Sequence, residues 1–462
     1  MGAPLAFPVR HSANHRFLVD RFGRPFPILG RTAWFVTSLS VADYRTFVDD
    51  TAARGFTAIE FHVISHDPRG NHPPFNGNDD APFLNTLDGG AWSGSLAGDA
   101  GGLAPDFTTP NPAYWSFVDA MLSYCESKGL LVLIFPAYVG YAGGEQGWMA
   151  EMEANGPERM YTYGAWIANR YKSRANIVWM AGGDLGVYGT ERAAAEGALL
   201  DGLKSVAGQS VQFSAEWDSD MIATDQESFG HHMTLNSVYS WGGLVSSLGR
   251  RAYAHTRILP AFLLEEPYDE EGPDGNGYNP NATQPVRRFS WWGWLSTIGG
   301  HVSGNGYVWT FTPGWQSHLE TQGAQDMTVL NTFIRSISWN ELVPSGLAGM
   351  RTLITEGGGT DGGADEVTAA ANPRGTLLVA YVPPDHTGSI VVDMEALRSS
   401  VRARWFDPTS AAWVPAGSSL APTGQREFTP PGLNGAGEND WVLVLDVPIR
   451  RTTPFPRRAG TR

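Results

Sequence analysis

Two steps in this 462-residue chain carry carboxylates in a setting suited to acid–base chemistry. Asp184 closes the run 176–184 (NIVWMAGGD), and Glu266 closes 258–266 (ILPAFLLEE), with Pro267 after it. Each time an apolar stretch delivers an ionisable group to its end. Gly182 and Gly183 let the chain turn sharply ahead of Asp184, and Pro267 stops a strand ladder behind Glu266. Two carboxyl groups facing each other across a site are the minimum for cleaving a glycosidic bond. One protonates the leaving oxygen, and the other attacks the anomeric carbon or activates water. Glu216, near the end of the run 210–217, is the rival for a catalytic role. The purely structural alternative makes Asp184 the cap of the next helix. It places Glu266 in a surface acidic cluster with Asp269, Glu270 and Glu271.

Around these two stand side chains able to stack on a sugar ring or bond its hydroxyls: Trp34, His62, Tyr138, Trp217, Tyr239, Trp241, Tyr268 and Trp309, with Glu216 among them. His62 and His66 with Asp67, or His231 with His232, form no recognised metal-ligand motif, and adjacent strand residues point to opposite faces. No metal and no cofactor is assigned. The chain lacks a Gly-x-Ser-x-Gly elbow. Its one cysteine, Cys125, lies in the apolar pattern Phe117, Met121, Leu122, Cys125 of a buried helix face. A serine or cysteine nucleophile is therefore disfavoured, and a single cysteine forms no intrachain disulfide.

The elements that must position these residues are legible as eight short apolar runs: 25–34, 56–64, 130–138, 176–184, 210–217, 233–239, 258–266 and 300–311. Helical periodicity separates most of them, beginning near 41 and covering 114–128 and 158–172. Near-continuous apolar strands alternating with helices call for a parallel sheet buried on both faces. The expectation is α/β: a (β/α)₈ TIM barrel over residues 1–345, whose catalytic groups sit at the carboxyl ends of strands. The fourth and seventh runs then face each other across the mouth. An open doubly wound sheet is less favoured, since no glycine-rich turn follows the first run. The loop 65–106, rich in Gly, Asn, Asp and Pro, is either a wall of the site or a solvated insertion. After 357–363 (GGGTDGG) the pattern becomes short alternating runs, at 376–382, 389–392, 401–406, 412–414 and 441–447. They predict a small antiparallel β-sandwich over 346–450, followed by a basic, fraying tail at 451–462. There is no internal repeat and no heptad run, and the sequence sets no oligomeric state.

Composition narrows the partners. Acidic residues outnumber basic ones 47 to 32, a net charge of −15, which argues against nucleic acid or an anionic membrane. No apolar run is long enough for a transmembrane helix. Residues 1–17 lack a basic region followed by an apolar stretch. The expected compartment is the cytoplasm for a full-length chain, and the periplasm or exterior for one already trimmed of a signal. The expected partner is a carbohydrate or glycoside. Two classes of function stay open, a glycosidase (or a lyase or transglycosidase using the same pair) and a non-catalytic sugar-binding barrel.

The residues 23–26 (GRPF) and 29–34 (LGRTAW), the run 176–184 and the Glu266-Pro267 step together resemble the apiosidase-like glycoside hydrolases. So do 287–309 (RRFSWWGWLSTIGGHVSGNGYVW) and 338–344 (SWNELVP). The C-terminal part, with 405–408 (WFDP) and Asp440-Trp441, is similar to the collagen-binding-type domain that commonly follows that barrel. The resemblance implies a glycosidase barrel with Asp184 as acid/base and Glu266 as nucleophile, acting on apiose or a related furanose, with a structural sandwich behind it. The chain departs from that pattern in its fifth and sixth strands. There 213–218 (FSAEWD) and 235–239 (LNSVY) replace a His-Pro step and a Gln-Ser-Gly-His segment, so the sugar specificity is the part of the expectation most exposed to change.

Overall fold

The computed structural model describes residues 5–96, 103–206, 211–265, 268–271 and 284–448. Eight parallel strands form the barrel: Ile28–Thr32 (β1), Ala58–His62 (β2), Leu131–Phe135 (β3), Ile177–Gly182 (β4), Gln212–Glu216 (β5), Asn236–Tyr239 (β6), Ala261–Leu263 (β7) and Ile298–Ser303 (β8). They hydrogen-bond in the order β5-β4-β3-β2-β1-β8-β7-β6. The seam between β5 and β6 is drawn together without a regular ladder. The N–H groups of Thr234 and Leu235 both donate to the Phe213 carbonyl at 2.9 Å, and Ser214 Oγ donates to Ser237 Oγ at 3.0 Å. Every residue of the eight strands is buried, which is why their sequences read as apolar runs rather than alternating ones.

The helices outside the barrel start where local chemistry allows. In α1 (Val41–Ala53), Ser40 Oγ accepts the Asp43 N–H at 3.1 Å; in α2 (Pro112–Ser127), Asn111 caps a first turn that begins with proline. Helix α3 (Met149–Tyr171) is longer than its periodicity indicates. Gly156 (φ 69°) and Pro157 break it, and a Gly-Pro step reads in sequence as a helix start, so the turns before it are missed. Helices α4 (Thr190–Lys204), α5 (Val245–Tyr253), α6 (Gln284–Thr297) and α7 (Gln322–Ser336) complete the ring. Pro25–Phe26 does not extend β1; it pairs with Leu18–Val19, which pairs with Arg10–His11, in a small antiparallel sheet.

Beyond the barrel lie Val343–Pro344 (β9), Ile354–Glu356 (β10), Thr368–Ala371 (β11), Leu377–Val382 (β12), Ile390–Asp393 (β13), Val401–Phe406 (β14), Trp413–Leu420 (β15), Gln425–Phe428 (β16) and Trp441–Asp446 (β17). A six-stranded sheet, β9-β11-β12-β17-β14-β15, faces a three-stranded one, β10-β13-β16. Strand alternation sends Leu378, Ala380, Leu443 and Leu445 toward Ile390, Val392 and Phe428 inside the sandwich. The opposite set, Val379, Tyr381, Phe406, Val442 and Val444, joins Trp291, Trp294 and Phe333 of the barrel helices in one core. Trp291 stacks on Tyr381 with ring centroids 5.7 Å apart. At this junction the buried Arg287 guanidinium donates to both oxygens of Asp440 (2.7 and 2.8 Å) and to Asp326 (2.5 Å). The expected tail at 451–462 lies outside the described residues.

Candidate active site

Asp184 is presented by a turn that only glycine can make. Gly182 has φ 79° and Gly183 φ 125°. A Cβ on Gly182 would stand 2.2 Å from the Glu216 carbonyl oxygen, and one on Gly183 2.3 Å from the Tyr138 ring. The buried Glu196 of α4 accepts the Gly182 N–H at 3.1 Å and fixes the turn from behind. Asp184 itself is left-handed (φ 52°), a conformation that costs of order 1 kcal/mol or more and is found at functional sites. Its carboxylate accepts the Tyr239 hydroxyl at 2.7 Å on one oxygen and the Tyr138 hydroxyl at 2.9 Å on the other. Trp241 Nε1 in turn donates to the Tyr239 hydroxyl at 2.7 Å.

Across the cavity stands Glu265, also left-handed at φ 61°. One of its oxygens accepts from Trp34 Nε1 at 2.8 Å and from the Tyr268 hydroxyl; the other is buried with no partner. Glu266, the residue singled out in the sequence, lies outside the described residues. Two-residue alternation along a short strand leaves a one-position ambiguity at its end, and Glu265 is the described carboxylate of this step that lines the cavity.

The cavity measures about 260 Å³, close to the small end for ligand pockets, and suits one sugar ring better than a run of them. Trp34, His62, Tyr138, Tyr239, Trp241, Tyr268 and Trp309 all line it, as does Asp184. Glu216 and Trp217 do not. Glu216 is fully buried in register with Gly182, behind the turn. Trp217, one residue on, stacks on Phe229 and donates its indole N–H to the Ala223 carbonyl at 2.9 Å, so it serves packing.

Phe35, Arg69, Tyr141, Gln146 and Glu265 also line the cavity without having been singled out in the sequence, as do Asp67, weighed there only as a metal ligand, and Glu271, placed there only in a surface cluster. Asp67 and Arg69 come from the start of the loop 65–106, which walls the site there. Asp67 pairs with Arg69 at 2.5 Å, and the guanidinium lies 4.7 Å over the Trp309 ring. The acidic run after Glu266 is no surface cluster. Asp269, Glu270 and Glu271 are buried, Asp269 accepting from Thr321 and Asn305, and Glu270 pairing with His318 at 2.8 Å. The histidines weighed as ligands have other engagements. His66 bonds Glu151 at 2.8 Å, and His62 stacks on Tyr138. No group of three or more His, Cys, Asp and Glu stands at metal-binding spacing among the described residues. Cys125 is buried, and burial pushes its thiol up to about 12.

Electrostatics set the two carboxylates apart from ordinary acids. Burial pushes Asp184 up to about 6, against the pull of the Tyr239 and Tyr138 hydrogen bonds. Burial pushes Glu265 up to about 8, with the Asp184 charge as the next cause. Burial also holds His62 well below the usual imidazole range, so it enters the site neutral, with Nε2 unpartnered.

The model of the apiosidase-like catalytic domain matches residues 12–341. The chain belongs to the apiosidase-like family. It is therefore a glycosidase by family, and its barrel is the fold of one. Residues 352–446 match the "Putative collagen-binding domain of a collagenase". Among solved structures, a glycoside hydrolase shares 18% identity and a TM-score of 0.74, covering 96% of this chain and 98% of its own. A family 5 glycoside hydrolase from Bacteroides vulgatus gives 18% and 0.73, covering 95% and 93%. A family 27 β-L-arabinopyranosidase from Geobacillus stearothermophilus gives 10% and 0.50, covering 92% and 98%. No curated protein sequence matches significantly. The chain covers the first two of these structures almost end to end.

Proposed function

We propose that this glycosidase releases a terminal furanose or pentose-like sugar, such as apiose, from a glycoside or oligosaccharide, with retention of configuration. The observation that carries the proposal is the pair of buried carboxylates, Asp184 and Glu265, in one small aromatic cavity. Each is raised in proton affinity, and the charge of one raises the other further. Such a pair holds one proton near neutrality; at rest the more basic Glu265 keeps it, and the proposed cycle begins with its passage to Asp184 as substrate binds.

In the proposed cycle Asp184 gives its proton to the leaving oxygen while a glutamate of the Glu265–Glu266 step attacks the anomeric carbon. The resulting glycosyl ester is then cleaved by water, whose proton returns to Asp184. The family resemblance gives the nucleophile's role to Glu266, whereas the cavity geometry supports Glu265. The Tyr138 and Tyr239 hydroxyls stabilise Asp184 once it has lost its proton. Trp34, Trp309 and neutral His62 supply apolar faces and a hydrogen-bonding nitrogen for the sugar, and the Asp67–Arg69 pair offers acceptors and donors to its hydroxyls. The sandwich acts as a structural partner of the barrel.

The test is a panel of aryl glycosides, furanosides included, with the anomeric configuration of the first-formed product followed by NMR. Release with retention supports the proposal, and inversion refutes the covalent intermediate. Binding of sugars without turnover of any glycoside would favour a non-catalytic sugar-binding barrel.

A further inference from the structure

The cavity is asymmetric, and its two ends differ in kind. The Glu265 end is closed by Trp34 and Tyr268, which are 4% and 3% exposed. The Asp184 end is open and carries two exposed aromatic rings, Trp241 at 44% and Tyr141 at 52%. Neither is a loose surface residue. The Trp241 indole is anchored through its N–H to the Tyr239 hydroxyl, which bonds the Asp184 carboxylate. Tyr141 starts the turn after β3, and the next residue, Ala142, donates its N–H to the carbonyl of Asp184 at 2.9 Å. The Trp241 ring is thus tied to the Asp184 carboxylate, and the backbone beside Tyr141 is tied to the Asp184 carbonyl. The two residues approach Asp184 from either side, since Tyr141 follows β3, the neighbour of β4, and Trp241 follows β6, the neighbour across β5.

We infer that Trp241 and Tyr141 form the platform for the leaving group, and that the natural leaving group is itself a ring with an apolar face, a pyranose sugar. This rests on the proposed role of Asp184, because the group that protonates the departing oxygen must stand on the leaving-group side of the bond. The sugar being released occupies the closed end near Glu265. The ring that departs lies over the open aromatic rim, where water exposes one face of each side chain until the substrate covers it. The anchored Trp241 ring meets its ligand already oriented, so less freedom is lost on binding.

The experiment uses three substrates that share the terminal sugar found active in the panel: a disaccharide, a 4-nitrophenyl glycoside and a methyl glycoside. For each, kcat/KM of Trp241→Ala and Tyr141→Ala is divided by that of the wild type, so intrinsic reactivity cancels. Either variant should lose about tenfold or more on the disaccharide and under about twofold on the methyl glycoside. A loss confined to the 4-nitrophenyl substrate would overturn the pyranose assignment. Trp241→Phe keeps a ring but not the N–H, and it should retain most of the disaccharide preference with an unshifted pH profile. Equal losses on all three substrates, or a Trp241→Phe variant that behaves like Trp241→Ala with a displaced pH profile, would mean that Trp241 acts only through Tyr239. Absence of turnover of every glycoside by the wild type would overturn the hydrolytic reading and this inference with it. Turnover with equal losses overturns this inference alone.

Discussion

Asp184 and Glu265 enter one cavity from the ends of β4 and β7, and the charge of Asp184 is the second cause, after burial, of the raised proton affinity of Glu265. Both residues adopt left-handed backbone, at φ 52° and 61°. Two carboxyl groups so placed do not ionise independently: losing the first proton makes the second harder to lose. The barrel supplies this by burying both acids together, and it limits the penalty by giving each two hydrogen-bond donors from Tyr and Trp side chains.

The pH profile follows. The pair carries one proton between about 6 and about 8. As pH falls through about 6 the remaining carboxylate is protonated and no nucleophile is left. As pH rises through about 8 the last proton is lost and no acid is left. The expected profile of kcat/KM is a bell with its maximum near neutrality, measured over pH 4 to 10 on an unactivated glycoside. A rate that stays flat down to pH 4 would refute the pairing.

Removing either carboxyl group should halt turnover without unfolding the chain. Asp184→Asn and Glu265→Gln are each expected to lose about 10³-fold or more in kcat, with the far-ultraviolet circular dichroism unchanged. The nucleophile is identified by the alanine variants at 265 and 266 in the presence of azide. The true one yields a glycosyl azide of inverted configuration, and the cavity geometry assigns that outcome to Glu265→Ala. The same product from Glu266→Ala instead would return the role to Glu266, as the family resemblance has it.

Tyr239 and Tyr138 favour the ionised form of Asp184. Tyr239→Phe should therefore raise the proton affinity of Asp184, so the acidic limb of the bell moves to higher pH. It should also slow the reaction, by roughly 10-fold for one lost hydrogen bond to a charged group. Tyr138→Phe should act in the same direction. A variant with lower kcat but an unmoved acidic limb would show that the hydroxyl serves the substrate rather than Asp184.

How far the sequence reveals this site depends on how local the signal is. Asp184 was legible because its two glycines and the apolar run before them are consecutive, and the rim aromatics because strand ends can be read from runs. Glu265 was not separated from Glu266 because a short strand does not fix which of two adjacent glutamates turns inward, and no residue type at 265 signals its place in the cavity. Trp217 was misread for the related reason that one further step past β5 points it into packing with Phe229. Asp67 and Arg69 left no periodic trace, since loop residues reach the cavity through a path set by the whole chain. The Arg287 junction was invisible, as Asp440 lies 153 positions away and only the folded contact relates them.

Arg287 is buried between Asp440 and Asp326, and Tyr381 and Asn434 also donate to Asp440, at 2.9 and 2.7 Å. Arg287→Met leaves two buried carboxylates without their cation, a change expected to cost about 3–5 kcal/mol. The loss should appear as a lower midpoint of denaturant unfolding. Because Trp291 and Trp294 share one core with Tyr381, Phe406 and Val442, the barrel and sandwich should still unfold in a single transition in the wild type. The variant should separate them, the sandwich loosening first while the barrel keeps its glycosidase site. A chain ended at residue 345 should aggregate, since it bares the faces of Trp291 and Trp294 that the sandwich covers. Arg287→Met with an unchanged midpoint would show that the buried ion cluster contributes nothing to holding the two parts together.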